Sequence, residues 1–206
     1  MDIIRAVFKM AEEGDRILML FPDNYSFLAV MQYIEKNYGN LFWILWTDVS
    51  IERINHFGKK YSFPLSGDAI AIYAQKKCNY LNLLDSFDIQ SDLSSALRTL
   101  PIDNRIVVLF GIDFLNVYGF DINKVIDVLV NCSNDNNLFI TTIFTKELVD
   151  KLMPFHDFYI EMSESRDTYI SYRTYKASLR FSVKGGVAEI SNVFTIDKEV
   201  NEDGGF

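Results

Sequence analysis

Residues 14–32 read GDRILMLFPDNYSFLAVMQ. Ile17 to Phe21 make an uninterrupted apolar run, the pattern of a strand buried on both faces of a parallel sheet. Pro22, Asp23 and Asn24 break the run. Phe27, Leu28, Val30, Met31 and Ile34 then recur at helical spacing, with Asn24 or Ser26 as the expected cap. A buried strand, a short polar turn and a helix, in that order, carry the phosphate-binding loop in nucleotide-binding α/β domains. The chemistry of such a loop is absent here, because FPDNYSF holds neither glycine nor lysine.

Outward from this stretch the same alternation repeats. Upstream, Ile3, Ile4, Val7, Phe8 and Ala11 form one face of an amphipathic helix that Gly14 ends. Downstream, FWILW at 42–46 predicts a second buried strand closed by a polar turn at Thr47 and Asp48, and residues 50–58 a helix capped by Ser50 and ended near Gly58. AIAIYA at 69–74 is a third strand. Residues 75–90 predict a loop with a short helix, and 91–100 a helix that Pro101 terminates. IVVLFGI at 106–112 is the most apolar run and the expected centre of the sheet. A helix at 123–130, a strand at 138–144 and a short helix capped by Thr145 complete the α/β part. After Pro154 the pattern becomes alternating, with turns at 165–167 and at 185–186, which predicts antiparallel hairpins extending one sheet edge. Residues 1–196 are expected to form a single domain, and 197–206 an acidic, disordered tail.

Composition narrows the function. The 206 residues are 49% hydrophobic and 15% aromatic, enough for a sizeable core. The net charge of -8 sets the chain at a disadvantage for gripping nucleic-acid backbone, which needs a basic face. Cys78 and Cys132 show no metal-ligand spacing and no disulfide framework, and are expected as small core residues of a cytoplasmic protein. The opening MDIIRAVFKMAEEGD mixes charge into its apolar residues, and no run approaches the about 20 apolar residues of a spanning helix. No membrane insertion is expected. Two histidines, His56 and His156, are too few for a His-rich metal site, and no metal is assigned. His156 and Asp157 are neighbours on an extended segment and point to opposite faces, so His156 is expected as a surface or satisfied histidine.

GDRILML followed by a helix containing Gln32, TDVSIERI at 47–54, RIVVLF at 105–110, LFITTIF at 138–144 and FSVKGGVAEI at 181–190 together resemble, in order and spacing, the RecA-like ATPase domain of the archaeal KaiC and RadA group. The resemblance runs from residue 14 to about residue 190. It implies a three-layer α/β/α fold of the P-loop NTPase kind, with a mainly parallel twisted sheet extended by C-terminal antiparallel hairpins. It also implies a degenerate phosphate loop at Pro22, Asp23, Asn24, Tyr25 and Ser26. There proline removes an N–H donor, Asp23 adds repulsion and Tyr25 bulk, and only Ser26 offers a hydroxyl. The magnesium-associated acid of that family falls near Phe110, and its paired acids after the second strand fall on Asp48 and Val49. Charged hydrogen bonds contribute roughly 1.5–3 kcal/mol each, so losing three removes about 6 kcal/mol, or about four orders of magnitude in affinity.

The resemblance therefore implies a catalytically inactive module, without catalytic residues or cofactor. It would bind a protein partner, a second copy of itself or an active ATPase paralogue. An alternative is a nucleotide or small-ligand sensor or enzyme with a rearranged pocket around Pro22–Ser26, Asp48 and Asp113; Asp48 sits at a strand's carboxyl end, the favoured place for ligands in open α/β sheets. A third is an accessory protein of nucleic-acid recombination, with Arg173, Tyr175 and Lys176 on the C-terminal hairpin as interface or nucleic-acid contacts.

Overall fold

Apolar runs without alternation can be buried only inside a sheet that is covered on both faces. The computed structural model of the protein describes residues 2–39, 41–61, 65–87, 105–131, 136–164, 172–183 and 186–197. Its strands are β1 (Arg16–Leu20), β2 (Leu41–Trp46), β3 (Asp68–Ile72), β4 (Asn82–Phe87), β5 (Ile106–Phe110), β6 (Leu138–Ile143), β7 (Phe158–Glu164), β8 (Tyr172–Val183) and β9 (Gly186–Asp197). They form one sheet in the order β4-β3-β2-β5-β6-β1-β7-β8-β9. All pairings from β4 to β7 are parallel, and β7, β8 and β9 pair antiparallel. The mainly parallel α/β sheet with a C-terminal antiparallel extension matches the expected class.

Period-2 geometry sends alternate side chains of each strand into separate cores. Ile17, Met19, Trp43, Leu45, Val108 and Phe110 pack under α1 (Asp2–Met10), α2 (Asn24–Tyr38) and α3 (Thr47–Tyr61). Leu18, Leu20, Phe42, Ile44, Trp46, Val107 and Leu109 face α4 (Asp113–Val117), α5 (Asn123–Asn131) and α6 (Val149–Leu152). The last of these lies between single 3-10 turns at Lys146–Leu148 and Met153–Phe155. The result is three layers with two apolar interiors.

Several local expectations are corrected. Asp23 caps α2, its side chain accepting from the Ser26 N–H at 2.9 Å, while Ser26 Oγ donates back to Asp23. Helix α3 starts at Thr47, directly after β2, in place of a turn and a Ser50 cap. It also runs through Gly58, where a Cβ would stand 2.4 Å from the Tyr80 ring. The expected loop over 75–90 contains β4, which reads poorly because among the described residues it pairs only with β3 and most of its side chains are exposed. Asp197, assigned to the tail, pairs with Tyr172 at the end of β9. The expected helix at 91–100, the tail beyond 197, the turn at 165–167 and Cys132 lie outside the described residues.

Candidate functional site

In open α/β sheets, ligands bind beyond the carboxyl ends of adjacent strands whose following segments leave to opposite faces. Two places in this sheet meet that condition. After β1 the chain goes to α2 on one face, and after the neighbouring β6 to the short turns on the other; likewise β2 leads to α3 and the neighbouring β5 to α4 on the opposite face.

The first place is filled. Phe27, at the start of α2, has its ring centroid 4.9 Å from Phe110, 5.5 Å from Phe21, 5.7 Å from Phe144 and 6.1 Å from Phe57. Stacked and edge-on aromatic pairs at these separations hold one another in place. Over Phe114 and Phe144 lies the Arg53 guanidinium, at 5.0 and 5.3 Å from the ring centroids. Burial lowers its pKa, and the nearby charge of Asp113 opposes that. Asp113 Oδ1 accepts from Phe144 N at 2.8 Å and Thr145 N at 3.0 Å, tying the end of β5 to that of β6. Its Oδ2 is buried without a partner, and burial pushes the carboxyl above its ordinary range.

The second place is closely packed, and an open cleft lies one strand further along. Gly111 lets the chain leave β5: its φ is 93°, and a Cβ there would stand 2.5 Å from Ser50 Cβ and 2.8 Å from the Trp46 carbonyl oxygen. Beyond β2 and β3 lies a cleft of about 360 Å³, lined by Thr47, Asp48, Val49, Glu52, Tyr73, Lys76, Tyr118 and Phe120. Thr47 and Tyr73 follow the last residues of β2 and β3, and both have positive φ, 67° and 57°. Left-handed backbone is rare for a β-branched residue such as threonine. The Thr47 side chain is buried, and its Oγ1 has no hydrogen-bond partner. Neighbouring Trp46, fully buried, also keeps an unpartnered Nε1.

Charged groups edge the cleft. Asp48 Oδ1 accepts from the backbone N–H groups of Gln75 and Lys76 at 2.7 and 2.8 Å, fixing the loop after β3. Lys76 pairs with Glu52, and that hydrogen bond raises the ammonium pKa. Burial, then the charges of Asp121 and Asp127, raise the Tyr73 phenol. Among the described residues, no group of three or more His, Cys, Asp or Glu side chains is placed to hold a metal ion.

The sequence-predicted residues separate accordingly. Asp48 lines the cleft, whereas Asp113 anchors β6 and is not among the lining residues. Pro22 to Ser26 form the capped turn into α2, with Ser26 buried. Tyr175, expected on a contact surface, is fully buried, and its hydroxyl donates to Asp23 Oδ2 at 2.9 Å. The reason is that β8 lies inside the sheet between β7 and β9, so Tyr175 shares the covered face of Ala177 and Leu179. Lys176 is exposed; the side chain of Arg173 lies outside the described residues. Thr47, Tyr73, Tyr118 and Phe120 carried no sequence signal as a group, since they come from three segments.

An uncharacterized protein of Archaeoglobus fulgidus is 41% identical over 198 residues, covering 96% of this chain and all of that protein. The chain belongs to the family of this archaeal protein. No family model matches it. Among solved structures, this family member is similar to a Pyrococcus horikoshii OT3 protein (structural study of Project ID PH0250), with a TM-score of 0.58 and 14% identity, over 76% of this chain and 86% of that one. That likeness is one of fold alone. A dihydrofolate reductase from Enterococcus faecalis complexed with NADP(H) gives a TM-score of 0.36 at 7% identity, covering 90% and 97% of the two chains. A S-adenosylmethionine-dependent methyltransferase from Clostridium acetobutylicum gives 0.28 at 7% identity, covering 98% and 83%. None of these is named as a RecA, KaiC or RadA ATPase, and the assignment to that group is corrected: the family shown is that of the Archaeoglobus protein. With it falls the P-loop NTPase label, and the phosphate-loop and inactive-module expectations lose the resemblance they rested on. Phe110, which that resemblance treated as a lost acid, is part of the aromatic packing.

Proposed function

We propose that the protein binds a small molecule in the cleft beyond β2 and β3. One observation carries the reading: Thr47 lines the cleft in a left-handed backbone conformation, with a buried hydroxyl that has no partner among the described residues. Conformations of this kind raise the energy by about 1–3 kcal/mol each and cluster at functional sites, and a buried hydroxyl without a hydrogen bond is unfavourable as well. A ligand that meets the hydroxyl removes the second of these. Tyr73, in the same backbone region at the end of the neighbouring strand, supplies an aromatic wall. The volume is at the small end of the usual range for ligand pockets, about 300–1,000 Å³. Among the described residues no helix is long and apolar enough to cross a membrane.

The test is a fragment and metabolite screen by thermal shift and ligand-detected NMR, run on the wild type, Thr47→Val and Thr47→Gly. Glycine accepts the backbone without strain and loses little packing, so Thr47→Gly is expected within about 1 kcal/mol of wild type in stability while binding is lost. Thr47→Val keeps the shape and loses the hydroxyl, and with it the affinity. A screen without a Thr47-dependent ligand, together with a strongly destabilised Thr47→Gly, would make the strained turn a folding device and end the proposal. The same NMR spectra report any turnover of a bound compound.

A further inference from the structure

We infer that the ligand of this cleft is a small organic cation, a protonated or quaternary amine or a guanidinium, seated against the rings of Tyr73, Tyr118 and Phe120. The inference rests on the ligand-binding reading above and goes beyond it to chemical class. Tyr73 and Phe120 stack with centroids 4.7 Å apart at 24°, and Tyr118 lies 6.5 Å from Phe120. Three rings from the loop after β3 and the turn after α4 thus gather at one opening, and Tyr118 is 56% exposed there. The face of an aromatic ring carries the negative part of its quadrupole and attracts a cation held within about 6 Å.

Charge points the same way. Asp48 and Glu52 line the cleft, and Asp121 and Asp127 lie near enough for their charges to act on the Tyr73 phenol. Facing them is Lys76, whose ammonium is paired with Glu52 and also feels Asp48. The lining itself carries two carboxylates and one ammonium, a net charge of -1, with Asp121 and Asp127 further off, on a chain whose net charge is -8. An anion entering here meets repulsion from those carboxylates; a cation meets attraction from both the carboxylates and the rings.

Calorimetry on the full chain at low salt distinguishes the possibilities, using choline, tetramethylammonium and agmatine as cations, 3,3-dimethylbutan-1-ol as the neutral isostere of choline, and AMP as an anion. At least one cation is expected to bind, and for choline the isostere should be weaker. Phe120→Leu should weaken cation binding about 2- to 30-fold, the range of cation–π contributions. Glu52→Gln should weaken it too, and raised salt should reduce the difference. If AMP or the neutral isostere binds better than every cation, and does so through Thr47, the cation inference is overturned and the cleft reading stands. If none of these probes binds, the cation inference is overturned, and the fragment screen decides the cleft separately.

Discussion

His156 gives the folded chain a pH dependence that can be worked out from its contacts. Its Nδ1 lies 2.7 Å from the Leu152 carbonyl oxygen, an acceptor only, so Nδ1 carries the proton; Nε2, 2.7 Å from Thr141 Oγ1, then accepts from that hydroxyl. The neutral imidazole satisfies both neighbours. Burial, reinforced by the charge of Arg16, pushes the imidazole down to about 4 from 6.5. The unfolded chain therefore binds a proton between those values that the folded chain refuses. Stability is complete above pH 6.5 and is lost as pH falls toward 4. Between pH 7.5 and 5 the linkage amounts to up to about 2 kcal/mol, and the full separation to about 3 kcal/mol.

The perturbation is His156→Asn, whose amide can still donate to Leu152 and does not titrate. Urea unfolding at half-unit steps from pH 7.5 to 5 should show wild-type stability falling and the variant nearly flat, whatever the variant's absolute stability. Other groups do not imitate the difference. Asp68 and Glu161 have carboxyl pKa values held below their ordinary ones, so their losses come at lower pH, while the raised Asp113 acts with the opposite sign; all three remain in the variant. Parallel pH profiles for the two proteins, or a native His156 ring resonance titrating near 6.5, would refute the reasoning.

Two further expectations concern the strand ends. Phe27→Ala removes the ring shared by Phe21, Phe57, Phe110 and Phe144, and should lower stability by about 3–5 kcal/mol in urea unfolding; the apolar cavity it leaves should take up benzene and raise Tm, and an unaltered Tm under benzene would mean that the rings close over the gap. Gly111→Ala forces a Cβ to within 2.5 Å of Ser50 in left-handed backbone, and should cost about 2–4 kcal/mol; a shift of the urea midpoint too small for 1 kcal/mol would show that α3 moves freely away from β5.

What the sequence discloses follows from how much each residue is constrained by its own neighbours in the chain. ILML, LFWILW and IVVLF are apolar throughout because both faces of their strands are covered, so they are legible from one short window. NLLDSF in β4 pairs on one side only and has mostly exposed side chains, and its pattern resembles a loop. The same reasoning explains the mistaken family. Buried parallel strands alternating with helices are common to doubly wound folds, so RIVVLF and LFITTIF identify an architecture, and their order adds little about ancestry. Phe110 was read as an acid removed, which gives weight to a missing group. Its ring instead stacks on Phe27 and closes that end of the sheet, a positive role that only the partner ring discloses. At the open end, Asp48 was legible because a strand's carboxyl end is a position along the chain. Tyr73, Tyr118 and Phe120 become a site only when the end of β3 and the turn after α4 meet around the first turns of α3, and no periodicity encodes that meeting. The strain at Thr47 belongs to the same class. TDV after an apolar strand predicts a polar turn, and the chain instead enters α3 at once, at the expense of a left-handed threonine. That departure from local preference coincides with a buried hydroxyl, unpartnered among the described residues, on a residue that lines the cleft, so the proposed site falls where sequence reasoning fails.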